Sequence, residues 1–154
     1  MPTKKFVIEQ VALCPASTDE AMELLRDMGL AEWTEDTVTA EGRVQNDWGV
    51  KNVANLRFNY DSAPRELEVL EYTSGRNWMD AHVARVSHIG MHCSAAELDD
   101  WRGFFAERGY KVVQEVNTTG HTNPAIAGKR SYKYCIFDTY RTLGVDVKLI
   151  VRIE

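Results

Sequence analysis

An internal repeat is the feature that most constrains how this chain of 154 residues folds. Each half begins with an apolar run of strand character, continues with a helix that follows a serine, and ends in strand-like segments. Both helices stop at a glycine, and these glycines, Gly29 and Gly109, lie 80 residues apart. Neither copy of such a unit can bury its sheet alone, so the repeat predicts that the two copies pair.

The hydrophobic pattern, together with the glycine, proline and polar residues that interrupt it, predicts the helices and strands of both halves. The helices are predicted over 17–30 and 94–110, each opening with a serine and a glutamate in capping-box spacing. The predicted strands are 6–14, 37–44, 52–60 and 65–72 in the first half, and 84–93, 111–116, 131–139 and 145–153 in the second. The polar stretch 73–82 joins the halves. We predict a single domain over 1–154, with an internal repeat of 6–73 and 84–152.

A trough between two paired, curved sheets is where we expect a site. Residues on the concave faces of both sheets converge there, and the repeat sets two pairs of positions against each other. Gln10 in the first strand corresponds to His88, and Glu68 in the fourth strand corresponds to Lys148. The sequence therefore predicts that these four side chains meet.

Charge and composition exclude several classes of protein. The net charge is −5 and the isoelectric point about 5.4, so no basic surface is available for nucleic acid or an anionic membrane. Three cysteines without paired spacing, Cys14, Cys93 and Cys135, argue against a disulfide framework and against a zinc knuckle. The first apolar run is short and is broken by Glu9 and Gln10, which argues against a signal peptide. We expect a cytoplasmic protein.

The sequence resembles the vicinal oxygen chelate superfamily, which includes glyoxalase I, methylmalonyl-CoA epimerase, the extradiol dioxygenases and the bleomycin-resistance proteins. The resemblance extends over 6–152, and it is carried by IEQVALCP and LEVLEY in the first half and by VSHIGMHC and GVDVKLI in the second. It implies an α+β fold in which two paired βαβββ modules form an incomplete barrel-like sheet with a central trough. It also implies a homodimer.

The resemblance further implies a divalent metal site with one ligand from each of four strands. Gln10, Glu68 and His88 match the first three ligand positions, but the fourth, a glutamate in metal-dependent members, is Lys148 here. A protonated ammonium has no lone pair for a cation and repels it. We therefore expect Lys148 to take the place of the metal charge and to pair with Glu68 across the trough.

A metal site with fewer protein ligands is the opposing expectation. The three matching residues would then hold Ni, Zn, Mn or Fe, and water or substrate oxygens would complete the coordination. Asp146, on the same strand face as Lys148, is a candidate replacement carboxylate, and His92 and His121 are further candidates. The expected cofactor is thus either none or one divalent ion.

The segment 117–134 is long and is punctuated by glycine and proline. One interpretation is a flap over the trough, in which Arg130 meets an anionic substrate and Tyr132 stacks on it. The other is a surface loop that runs into an amphipathic strand. The candidate substrate-binding residues are His92, His121, Arg130, Tyr132 and Asp146.

Three functions are compatible with this site. The first is a glyoxalase/bleomycin-resistance-like protein that binds a small organic molecule in the trough, with Lys148 in place of the fourth metal ligand. The second is a divalent-metal-dependent lyase or isomerase of the glyoxalase I or methylmalonyl-CoA epimerase type. The third is a metal-free enzyme in which Lys148 stabilises a developing oxyanion while Glu68 or His88 moves a proton. The expected partners are a small molecule and a second copy of the chain, not nucleic acid or a membrane.

Overall fold

A computed structural model of the chain describes residues 2–44, 47–62, 65–74 and 87–153. Over these residues the fold is α+β, with three helices and an eight-stranded mixed sheet that closes into a barrel. The strands are β1 (Gln10–Leu13), β2 (Thr34–Val44), β3 (Asp47–Asn59), β4 (Glu66–Ser74), β5 (His88–His92), β6 (Val112–His121), β7 (Tyr132–Phe137) and β8 (Asp146–Arg152). The helices are α1 (Thr18–Asp27), α2 (Ala95–Glu107) and α3 (Tyr140–Leu143).

The strand order around the barrel is β1-β4-β3-β2-β6-β7-β8-β5. Within each half of the chain the first strand pairs in parallel with the last, β1 with β4 and β5 with β8. Two antiparallel pairs join the halves, β1 with β5 and β2 with β6. The prediction of a barrel-like sheet is thus confirmed. The barrel is closed, however, and not incomplete as expected, because β2 pairs with β6.

A glycine permits this closure. Gly42 of β2 lies opposite Val116 of β6. A Cβ atom at position 42 would lie 2.2 Å from the carbonyl oxygen of Glu115 and 2.7 Å from the Cα of Val116. Because both of these atoms belong to the backbone, only a residue without a side chain allows the two strands to approach so closely.

Strand alternation separates the covered outer faces of the sheet from the barrel interior. On β8, Val147 and Leu149 belong to the apolar cluster under α2, whereas Lys148 between them faces the interior. On β4, Val69 packs under α1, whereas Glu68 faces the interior. The helices therefore cover the outside of the barrel. The alternate residues of each strand, such as Glu68 and Lys148, point into its interior.

Both long helices begin at the predicted serines. The Ser17 side chain accepts a hydrogen bond from the Glu20 backbone N–H, and Ser94 forms a full capping box with Glu97. The first strand, Gln10–Leu13, is shorter than the predicted 6–14. Before it, Phe6 packs against Trp101 of α2. The helix α3 is absent from the prediction.

The polar join between the halves lies largely outside the described residues. These exclude 75–86, and with them most of the predicted join 73–82 and the start of the predicted strand 84–93. None of the described helices is long and apolar enough to cross a membrane.

Candidate functional site

Four neighbouring strands carry the four side chains that the repeat predicts to meet. In the order β4, β1, β5, β8 they contribute Glu68, Gln10, His88 and Lys148. All four side chains are buried. The structure thus gathers these residues within one part of the barrel.

Gln10 connects the histidine to the carboxylates. Its Oε1 lies 2.6 Å from His88 Nε2, and its Nε2 donates to Glu66 Oε1 at 2.5 Å and to Glu68 Oε2 at 3.4 Å. Because the amide nitrogen donates to the carboxylates, we assign its oxygen as the acceptor of the His88 Nε2–H. Gly90 beside Gln10 makes room for this amide, since a Cβ there would lie 3.2 Å from Gln10 Oε1.

Burial dominates the protonation of this cluster. It lowers the pKa of His88 well below its usual value, and the positive charge of Lys148 lowers it further. Burial also raises the pKa of Glu68, while Lys148 acts in the opposite direction. The neutral forms of both side chains are therefore favoured by their surroundings.

Lys148 contacts an aromatic ring instead of the predicted carboxylate. Its Nζ lies 4.1 Å from the centre of the Tyr134 ring, a cation–π arrangement. Among the described residues, Lys148 forms no ion pair with Glu68 at contact distance, so the expected pair is not formed. The reason is the direction of the lysine side chain, because Tyr134 lies on β7, the neighbour of β8 on the side away from β4.

Two cavities meet at this cluster. The inner cavity, of about 40 Å³, lies within the barrel, and the polar and charged side chains that line it include Asn52, Glu68, His88, Gln114, Tyr134 and Lys148. The outer cavity, of about 250 Å³, is lined in part by Gln10, Asp36, Glu68, His121, Arg130 and Tyr132. Leu56, Glu68 and Tyr134 border both cavities.

Four of the five predicted substrate-binding residues line the outer cavity, namely His92, His121, Arg130 and Tyr132. The fifth, Asp146, lines neither cavity, and its Oδ1 accepts a hydrogen bond from the backbone N–H of Tyr140 at 3.1 Å. It shares a strand face with Lys148 but lies two residues earlier, toward α3. It is therefore not placed to act as the replacement carboxylate.

Sequence reasoning missed a carboxylate that orients one of these residues. Asp36 Oδ2 lies 2.7 Å from His121 Nδ1, and Asp36 Oδ1 accepts hydrogen bonds from the backbone N–H groups of Thr122 and Asn123, each at 2.9 Å. An ionised carboxylate only accepts, so Nδ1 carries the hydrogen in the neutral ring and Nε2 is left with a lone pair. That Nε2 is buried and has no partner among the described residues.

This Asp36–His121 dyad also fixes the start of the segment that covers the outer cavity. The segment continues through Ile126 and Arg130, both of which line the cavity. Arg130 is exposed, and its guanidinium forms no hydrogen bond or ion pair with the described residues. The interpretation of 117–134 as a flap is compatible with this arrangement.

The residues present do not fit the divalent ion that the resemblance implies. Of the four strand positions only Glu68 and His88 are strong metal ligands, the amide oxygen of Gln10 is engaged by His88, and the fourth position is a cation. In the part of the chain that the structure describes, no three His, Cys, Asp or Glu side chains are grouped to hold a metal ion.

Comparisons with known proteins give a likeness in fold. The sequence matches no protein-family model and no curated protein. It is similar to the crystal structure of hypothetical protein BH1468 from Bacillus halodurans C-125, with a TM-score of 0.50 and 11% identity over 96% of this chain and 95% of that one. At this identity the likeness concerns the fold alone.

Proposed function

We propose that this protein binds a small organic molecule in the outer cavity, in the manner of a glyoxalase/bleomycin-resistance-like protein whose fourth metal ligand is replaced by Lys148. The observation that carries the proposal is the outer cavity itself, which opens beside the buried Gln10, Glu68 and His88 cluster. Its volume of about 250 Å³ lies close to the lower end of the roughly 300–1,000 Å³ usual for ligand pockets.

The strand order supports the proposal that two βαβββ modules pair around this cavity as a trough. The order β1-β4-β3-β2 in the first half is repeated as β5-β8-β7-β6 in the second. In each half the helix follows the first strand, α1 after β1 and α2 after β5. The outer cavity takes residues from both halves, which is what a trough between modules requires.

The walls of the cavity suit an organic anion with an aromatic or apolar part. Two stacked aromatic pairs border it, Phe58 with Tyr60 and Tyr132 with Tyr134. Arg130 supplies positive charge to the outer cavity, whose carboxylates are Asp36, held by His121 and two backbone N–H groups, and Glu66 and Glu68, which accept from Gln10. Lys148 supplies a further positive charge from the adjoining inner cavity. Aromatic faces and a few placed polar groups are the usual composition of a small-molecule site.

A fragment screen followed by thermal shift and titration calorimetry tests the binding. We expect anionic aromatic fragments to bind saturably. Their affinity should fall about tenfold in Arg130→Gln, because that variant loses about one net hydrogen bond, and it should also fall in Tyr132→Leu. The neighbouring exposed Lys129 does not line the cavity, so Lys129→Gln is the matched control and should bind as the wild type does. Failure of every fragment class to bind would remove the proposal.

The metal-free enzyme is a second candidate, and the unpartnered His121 Nε2 favours it. In place of the Glu68 or His88 expected from the sequence, we assign the proton transfer to His121, whose lone pair, held by Asp36, is suited to accept a proton from a molecule in the outer cavity. Lys148, which lines the adjoining inner cavity, is suited to stabilise the negative charge that remains. Once a ligand is known, His121→Gln should abolish turnover while retaining binding. A ligand that is released unchanged by the wild-type protein would exclude this candidate.

We also propose a homodimer and a cytoplasmic location. The second is supported by the three cysteines, which form no disulfide with one another. Light scattering of the purified protein measures the mass in solution, and a monomer would contradict the proposed dimer.

A further inference from the structure

The inner cavity contains buried polar groups whose hydrogen-bonding capacity is unused. The Asn52 side chain is 2% exposed, and neither its Nδ2 nor its Oδ1 has a partner among the described residues. Gln114, 4% exposed, has an unpartnered Oε1. Buried polar atoms without partners are costly, so a group of complementary chemistry is expected between them.

Lys148 faces the same cavity, and no described carboxylate lies within ion-pair distance of its ammonium. Its ammonium lies over the Tyr134 ring and forms no ion pair with the described residues. Ring contact satisfies none of the three N–H donors as a carboxylate would. The cavity therefore presents a cation and amide groups beside Glu68, and burial raises the pKa of Glu68 and so favours its neutral form.

These groups define the shape of a complementary ligand. The donors, Lys148 Nζ and Asn52 Nδ2, are complementary to acceptor oxygens, and the charge of Lys148 favours anionic ones. The acceptors, Asn52 Oδ1 and Gln114 Oε1, are complementary to a donor hydrogen. A carboxylate beside a hydroxyl offers acceptors to both donors and one O–H, which we assign to Gln114 Oε1. The cavity of about 40 Å³ holds about three water-sized groups at roughly 10–15 Å³ each, so the carboxylate and hydroxyl end of a ligand is the most that it admits.

We propose that the inner cavity binds a carboxylate with a neighbouring hydroxyl, as in a 2-hydroxy acid, held by Lys148, Asn52 and Gln114. This inference rests on the proposed function, because it assigns the inner end of the molecule whose remainder occupies the outer cavity. Leu56, Glu68 and Tyr134, which border both cavities, would surround the ligand where it passes from one to the other. Hydrogencarbonate also carries a hydroxyl beside its anionic oxygens and is a competing ligand for the inner cavity.

Titration calorimetry with glycolate, acetate and hydrogencarbonate tests the assignment. We expect the wild-type protein to bind glycolate about tenfold more tightly than acetate. Acetate lacks the hydroxyl, and the loss of about one net hydrogen bond corresponds to about a tenfold change in affinity. Gln114→Met should reduce that preference to near unity while retaining acetate binding. Lys148→Met should weaken both acids about 100-fold, and Lys129→Gln should change nothing.

Lys148→Met removes a buried charge and keeps the length of the side chain, so we expect it to fold; circular dichroism checks this. Asn52→Ala, expected to weaken glycolate and acetate, is a second variant that leaves the charge in place. Absence of binding of all three anions, as for a cavity filled by water alone, would overturn the assignment. Glycolate binding that is unchanged in Lys148→Met would also do so.

The two proposals fail in different ways. If glycolate binds in the inner cavity while no fragment binds in the outer one, the anion site stands and the proposed function fails. If fragments bind in the outer cavity but acids bind no better than their neutral amides, the inference fails and the proposed function stands. Tighter binding of hydrogencarbonate than of glycolate would assign the site to the inorganic anion and overturn the link to an organic ligand.

Discussion

Replacement of Gly42 by alanine tests whether closure of the barrel depends on the close approach of β2 and β6. The new Cβ would lie 2.2 Å from the backbone oxygen of Glu115, whereas ordinary contacts begin at 3.4 Å, so the strands must separate locally by 1.2 Å (3.4 − 2.2). An N–H···O bond of about 2.9 Å lengthened by that amount no longer counts as a hydrogen bond. Two such bonds and the overpacking together cost about 3 kcal/mol.

For a domain of this size, 3 kcal/mol corresponds to a fall in melting temperature of about 6–12 °C. Urea unfolding followed by circular dichroism measures the free energy of unfolding directly. Gly120→Ala is the matched control, because Gly120 lies on the same strand pair and its Cβ would make an ordinary contact at 3.8 Å from Thr39. Equal free energies for Gly42→Ala and the wild type, or equal losses in both variants, would refute the reasoning.

Three further predictions concern the site. Asp36→Asn should weaken the hydrogen bond from the Thr122 N–H, so this amide should exchange about tenfold faster in hydrogen-exchange NMR; an unchanged rate would mean that the carboxylate does not hold the segment. Gly90→Ala should displace the Gln10 amide and change the ring nitrogen shifts of His88, since the Cβ would lie 3.2 Å from Gln10 Oε1; identical spectra would contradict the packing. Because the pKa of His88 is lowered in the folded protein, the unfolded chain binds more protons, and stability should fall by up to about 1.4 kcal/mol per unit as pH drops below 6.5. His88→Gln should flatten this fall in urea midpoints measured across pH, and an equally steep dependence would show that another group is responsible.

The elements and their partition between inside and outside were predictable because their signals are local. Ser17 and Ser94 mark the helix starts through bonds to residues three positions on. Strand alternation assigned Glu68 and Lys148 to the same surface, since successive side chains point to opposite faces. The helix α3 escaped prediction because four residues are too few to show a helical period.

By itself, the sequence determined the repeated plan of strands and helices and the convergence of Gln10, Glu68, His88 and Lys148, because both follow from periodicity along the chain. The tertiary structure alone decided what these groups contact. Asp36 and His121 are 85 residues apart and meet only because β2 pairs with β6. Contacts between β2 and β6 depend on the register of two strands that are distant in sequence. That register is set by packing and by Gly42, which allows the neighbouring backbone to approach, and not by any local pattern.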